Sequence, residues 1–163
     1  MDSCRGLTLL ELCFGVAIVA VLAGLSIPSL RATRASGAVH AAAFELAAGL
    51  QRARASAIVE ARPGTLCIAD ATGRCLRGNG PAKAWRVFLE GGVEFTLAQG
   101  PLPAGVVLYA TRPRTTFWPH SGAAGTTTLT ICHVQGDARP RAIVVSQSGR
   151  ARFADSAPER CQA

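Results

Sequence analysis

Lysine is nearly missing from this chain of 163 residues: all but one of its 17 basic residues are Arg, and Lys83 is the exception. Acidic residues are also sparse, 10 against those 17, which leaves a net charge of +7 and argues for an anionic partner or for simple charge-based solubility. Aromatic residues make up only 6% of the chain, too few for the row of exposed rings on which single-stranded nucleic acid stacks. The runs that hold Trp85, Phe88, Phe95, Tyr109, Phe117 and Trp118 are mostly β-type, so these rings are expected in the core. The chain has no C-x-x-C pair, and His133 directly adjoins Cys132, a poor geometry for shared zinc ligation; no metal or other cofactor is expected. G-x-S-x-G, H-E-x-x-H and a glycine-rich phosphate loop are all missing, and His40, His120 and His133 fall on a helix, in a loop and in a strand. Ser121 beside His120 is a chance-level pairing, so the chain reads as a non-enzyme.

What is present begins with "GLTLLELCFGVAIVAVLAG", residues 6–24. From Leu12 to Ile27 the run carries no charge, and with Leu7 to Leu10 it reaches the roughly 20 residues that cross a bilayer core. Glu11 interrupts it. A charge at the centre of a membrane helix costs about 2.5 to 3.5 kcal/mol on insertion scales, so this carboxylate calls for a partner. A secretory signal peptide fits poorly, because the leader "MDSCRG" is six residues with one Arg and the apolar run is too long.

Beyond Pro28, apolar residues recur at Val39, Ala43, Leu46, Leu50, Ala53 and Ala57, a four–three alternation that predicts an amphipathic helix ended by Pro63-Gly64. A helix continuous from Leu7 to Ala61 would be roughly 80 Å long. After it come short β-type runs divided by Gly and Pro: TLCIA, WRVFLE, VEFTL, VVLYA, TTFW, TTLTICHV, AIVVSQ and ARF. The expected fold is therefore α+β: a long N-terminal transmembrane and amphipathic helix packed on an antiparallel β-sheet or two-sheet sandwich.

Four cysteines lie past the apolar run, and three pairings are formally possible; Cys67 with Cys75 and Cys132 with Cys161 are favoured, the first closing a short Gly-containing loop and the second holding the C-terminal tail. An extracytoplasmic head would oxidise them.

The last feature is "SGRARF", residues 148–153. Gly149 suits a turn, and on a strand Arg150 and Arg152 project to one face about 6.6 Å apart, with Ala151 and Phe153 facing the other way. Two guanidinium groups so spaced can each fork onto a phosphate of duplex DNA; they also suit a solvated edge strand that resists aggregation. Arg112 and Arg114, Arg139 and Arg141, and Arg160 would extend such a rim.

"G-LTLLEL" ahead of an apolar helix resembles the N-terminus of type IV prepilins and type II secretion pseudopilins. The resemblance implies that a prepilin peptidase cuts between Gly6 and Leu7 and methylates Leu7, where that family usually has Phe. Glu11 becomes the fifth mature residue, which pairs in the filament with a neighbouring subunit's terminal ammonium, and Pro28 falls where many pilins kink. The stretches "LQRARASAIVEARPGTLCI", "FWPHSGAAGTTTLTIC" and "RAIVVSQSGRARF" resemble the head shared by pseudopilin H and the FimT/FimU minor pilins. Implied domains are a leader at 1–6, a transmembrane half-helix at 7–30, an amphipathic half at 31–62 and a β-rich periplasmic head at 63–163. Implied partners are other pilins or pseudopilins, the prepilin peptidase and the inner membrane, with the head in the periplasm and outside the cell after assembly. In the FimT branch a G-R-x-R element is associated with DNA binding in natural transformation, and Gly149, Arg150 and Arg152 match it. A structural subunit of a secretion pseudopilus is the alternative.

Overall fold

The computed structural model describes residues 8–91, 95–154 and 161, without the side chains of residues 23–29. Gly6, Leu7 and Arg160 lie outside the described residues.

One helix, α1 (Leu9–Val59), runs unbroken through Pro28. Its ends fall two residues inside the expected Leu7 and Ala61. Thr8 caps the start: its hydroxyl accepts from the Glu11 amide at 3.3 Å, and the Glu11 carboxylate accepts from the Thr8 amide at 3.1 Å, the reciprocal arrangement of a capping box. At the other end the Glu60 amide still donates to Ser56 O at 2.8 Å. Ala61 then turns into the left-handed region at φ 51°, and Arg62 holds the bend by donating to the carbonyls of Glu90 and Gly91. Gly64 is needed next, because a Cβ there would overlap the Ala53 carbonyl oxygen; the chain enters its first strand flush against the helix.

Apart from Glu11, the first part of α1 through Leu22 is apolar all round, with Leu9, Leu12, Phe14, Val16, Ile18 and Val21 exposed. Among the described residues no helix is long and apolar enough to cross a membrane; the expected span, 7–30, takes in residue 7 and the side chains of 23–29, which lie outside them. The second part is one-sided, and its stripe of Val39, Ala43, Leu46, Leu50, Ala53 and Ala57 is fully buried.

Eight strands follow: β1 (Gly64–Ala69), β2 (Ala84–Leu89), β3 (Phe95–Pro101), β4 (Val106–Ala110), β5 (Arg114–Phe117), β6 (Thr127–His133), β7 (Arg141–Val145) and β8 (Ala151–Ala154). They form two four-stranded antiparallel sheets, β3-β2-β1-β5 and β4-β6-β7-β8, linked by a bridge between Ala82 and Leu108. Both sheets press on the buried stripe of α1, and Leu66, Ile68, Val87, Leu108, Phe117, Leu129, Ile131 and Ile143 complete one core with it. Each such side chain contributes about 1.5 to 3 kcal/mol by leaving water. The fold is thus the expected α+β arrangement with two sheets. The aromatic rings divide: Trp85, Phe88 and Phe117 are buried, whereas Phe95 and Trp118 are 63% and 59% exposed. Sequence pattern placed all six in the core; Phe95 instead opens edge strand β3 at the end of its sheet, opposite Leu89, and Trp118 follows buried Phe117 just past edge strand β5, where alternation turns it outward.

Cys67 is bonded to Cys75 and Cys132 to Cys161. Cys13 is free and exposed.

Candidate functional site

The arginine pair stands on a hairpin whose tip is built by local chemistry. Val145 pairs with Ala151, the Ser146 amide donates to Arg150 O at 3.0 Å, and the Gly149 amide donates to Ser146 O at 2.9 Å. Gln147, Ser148 and Gly149 therefore make a three-residue loop with its last member in the left-handed region, φ 73°, which is the position such loops reserve for Gly. Arg150 comes just before β8 and Arg152 within it; both are exposed. Phe153, on the opposite face, packs edge-on against Phe44 of α1 with ring centroids 5.2 Å apart.

The tip is tied down from two sides. The Ala124 amide donates to Gln147 O at 3.0 Å. Gly149 lies so close to the loop after β5 that a Cβ would overlap the Gly122 carbonyl oxygen, and Arg54 of α1 reaches the same oxygen through Nε at 3.3 Å. Helix, loop and hairpin thus converge on Gly122 and hold the backbone of the arginine pair. Among the described residues neither Arg150 nor Arg152 has an ion pair. What the arrangement offers is two solvated guanidinium groups on a fixed edge strand, able to fork onto an anion such as a phosphate. That edge position also suits a charge that blocks strand addition.

The other arginines do not form one rim. Arg112 lies at the same end of the second sheet, over Gly125, on the far side of the sheet from β8. Arg114 pairs opposite Cys67 in the first sheet and is exposed. Arg139 and Arg141 lie at the opposite end of β7 from the hairpin tip. Arg141 is engaged there, its guanidinium 2.9 Å from His40 Nε2, so that ring nitrogen accepts and Arg141 donates. The residues that sequence reasoning missed are Arg54 and Gly122, which carry no local motif, and Thr8, whose T-x-x-E spacing to Glu11 is a helix-start signal. Glu11 takes both of its Thr8 contacts on Oε2.

The family model described as "Type II transport protein GspH" matches residues 42–149, from the buried stripe of α1 to the hairpin glycine. The chain belongs to the GspH family. Its fold is that of FimU, a type IV minor pilin of Pseudomonas aeruginosa: 21% identity and a TM-score of 0.59 over 76% of this chain and 94% of that one. It is also that of EpsH, the minor pseudopilin of the Type 2 Secretion System of Vibrio cholerae, at 15% identity and a TM-score of 0.54 over 71% and 95%. No curated protein matches the chain. The family model is described for type II transport, while the roles of minor pilin and minor pseudopilin are those of FimU and EpsH themselves. The family match ends at Gly149, so Arg150 and Arg152 lie just past it.

Proposed function

We propose that this GspH-family chain is a minor type IV pilin whose basic head binds duplex DNA for uptake in natural transformation. In this reading the chain is cut between Gly6 and Leu7, methylated on Leu7, held in the inner membrane by residues 7–30 and drawn into a pilus beside other pilins. Apart from Glu11, an apolar surface running all round the first part of α1 supports the anchor, since such a helix is stable only in lipid or among other apolar helices. Glu11 supports assembly: its local bonds to Thr8 fall on one carboxylate oxygen, which leaves the other for the terminal ammonium of a neighbour.

The single observation that carries the DNA reading is the arginine pair, exposed and free of ion pairs among the described residues, on a hairpin fixed through Gly149. Backbone phosphates are the natural ligand, and binding should be weak and should fall steeply with salt. The test is a mobility shift of duplex DNA by the full chain in detergent at low salt. Arg150→Ala with Arg152→Ala is expected to lose most of the shift; equal retention by the double variant would refute DNA contact at this edge.

A second reading, a structural subunit of a type II secretion pseudopilus, is favoured by the family match itself. There the two arginines serve only to keep the edge strand soluble, and the same double variant would secrete normally.

A further inference from the structure

At the end of the head where the apolar run stops, α1, the β3–β4 loop and the β6–β7 turn line an open cleft of about 310 Å³. Arg31 and Arg34 line it from the helix, three residues apart and so on one face; His133, Gln135 and Asp137 line it from the turn. Arg31 follows Leu30 directly, so an anchor ending there places these guanidinium groups at the headgroup layer.

The lining is polar in a particular pattern. Among the described residues neither arginine has an ion pair. The His133 side chain is only 10% exposed, and its Nδ1 is buried without a hydrogen-bond partner; the nearest carboxylate oxygen, Asp137 Oδ2, is 3.9 Å away. Its other ring nitrogen is packed where Gly105 leaves room for it, since a Cβ at that glycine would press on His133 Nε2. A buried imidazole nitrogen with no partner is costly unless a ligand or water meets it. The cleft thus offers two forked cations and an imidazole for an anionic group, with one carboxylate for a cation beside it.

We propose that this cleft receives the headgroup of an ethanolamine phospholipid from the leaflet in which the head emerges. Arg31 and Arg34 take the phosphodiester, His133 Nδ1 donates to it, and Asp137 accepts from the primary ammonium. Val134, exposed at the same turn, adds an apolar contact beside the membrane surface. A headgroup held this way keeps the head against the bilayer until the subunit is drawn into a filament. The inference rests on the membrane anchor of the proposed function.

The test uses the full chain in dodecyl maltoside with dioleoyl phosphatidylethanolamine, dioleoyl phosphatidylcholine or inorganic phosphate, read by native mass spectrometry and by amide exchange over residues 133–141. The ethanolamine lipid should be retained and should slow exchange in that turn several-fold; the choline lipid, whose ammonium has no N–H, and free phosphate should not. Arg31→Ala with Arg34→Ala should lose the protection with an unchanged melting temperature, and Asp137→Asn should lose the preference for ethanolamine over choline. Equal retention of both lipids, protection by inorganic phosphate alone, or full protection of the double variant would overturn the proposal. Carbonate-resistant pelleting of the chain with vesicles separates the two claims: pelleting without turn protection sinks the headgroup site alone, and failure to pellet sinks the anchor.

Discussion

Arg54 Nε lies 3.3 Å from the carbonyl oxygen of Gly122, the atom against which Gly149 is packed. The amphipathic helix therefore reaches through a loop glycine to the hairpin that carries Arg150 and Arg152. Gly149→Ala must both adopt a left-handed backbone and push that carbonyl away, so a loss of about 2 kcal/mol or more is expected in chemical denaturation. Arg54→Ala removes one hydrogen bond and should cost about 1 to 2 kcal/mol. Both variants should also weaken any anion binding by the pair while its guanidinium groups are intact.

The two disulfides close loops of different length, with sequence separations of 8 and 29. Loop-closure entropy gives about 2.5 kcal/mol for the shorter and about 3.5 for the longer. Cys132→Ser with Cys161→Ser is thus expected to lower the denaturation midpoint more than Cys67→Ser with Cys75→Ser.

Asp70 turns the loop that Cys67 and Cys75 close. Its Oδ1 accepts from the Thr72 hydroxyl at 2.6 Å, from the Thr72 amide at 2.8 Å and from the Arg74 amide at 3.0 Å. The Thr72 side chain first, then the Arg74 amide, hold its carboxyl below the ordinary aspartate range. A carboxyl lowered by folding stabilises the loop above its unfolded value, near 3.8, and that contribution is lost as pH falls through the lowered folded value. A carbon-detected NMR titration should place the Asp70 midpoint below 3.8, and Asp70→Asn should remove the acid loosening of the Thr72 and Arg74 amides. A midpoint at or above that value would contradict the bonding.

Leu50, buried between α1 and the sheets, tests the shared core. Leu50→Ala is expected to cost about 2 to 5 kcal/mol, measured by urea unfolding. A loss under 1 kcal/mol would mean that the sheets do not close on this stripe.

Much of this fold was legible in order along the chain. The stripe from Val39 to Ala57 follows from helical period, and all eight strands overlap β-type runs bounded by Gly and Pro, because both signals are local. Which strands join which of the two sheets was not legible, since β1 pairs with β5 across β2, β3 and β4, and β4 pairs with β6 across β5. At the candidate site the alternation of Arg150 and Arg152 against Phe153 could be read, but not what Phe153 meets, since Phe44 lies more than a hundred residues earlier. For the same reason Arg141 looked like a free cation, although His40 engages it from the helix. The capping box at Thr8 and Glu11 was within reach of a local rule and was masked by the apolar run around it.

Filament assembly turns on what becomes of residues 1–6, because only removal of that hexapeptide creates the terminal ammonium that Glu11 is proposed to meet. Intact mass spectrometry of the chain from cells with an active prepilin peptidase measures this directly. The expected product begins at Leu7 and carries one added methyl group; a chain still starting at Met1 would contradict the pilin reading.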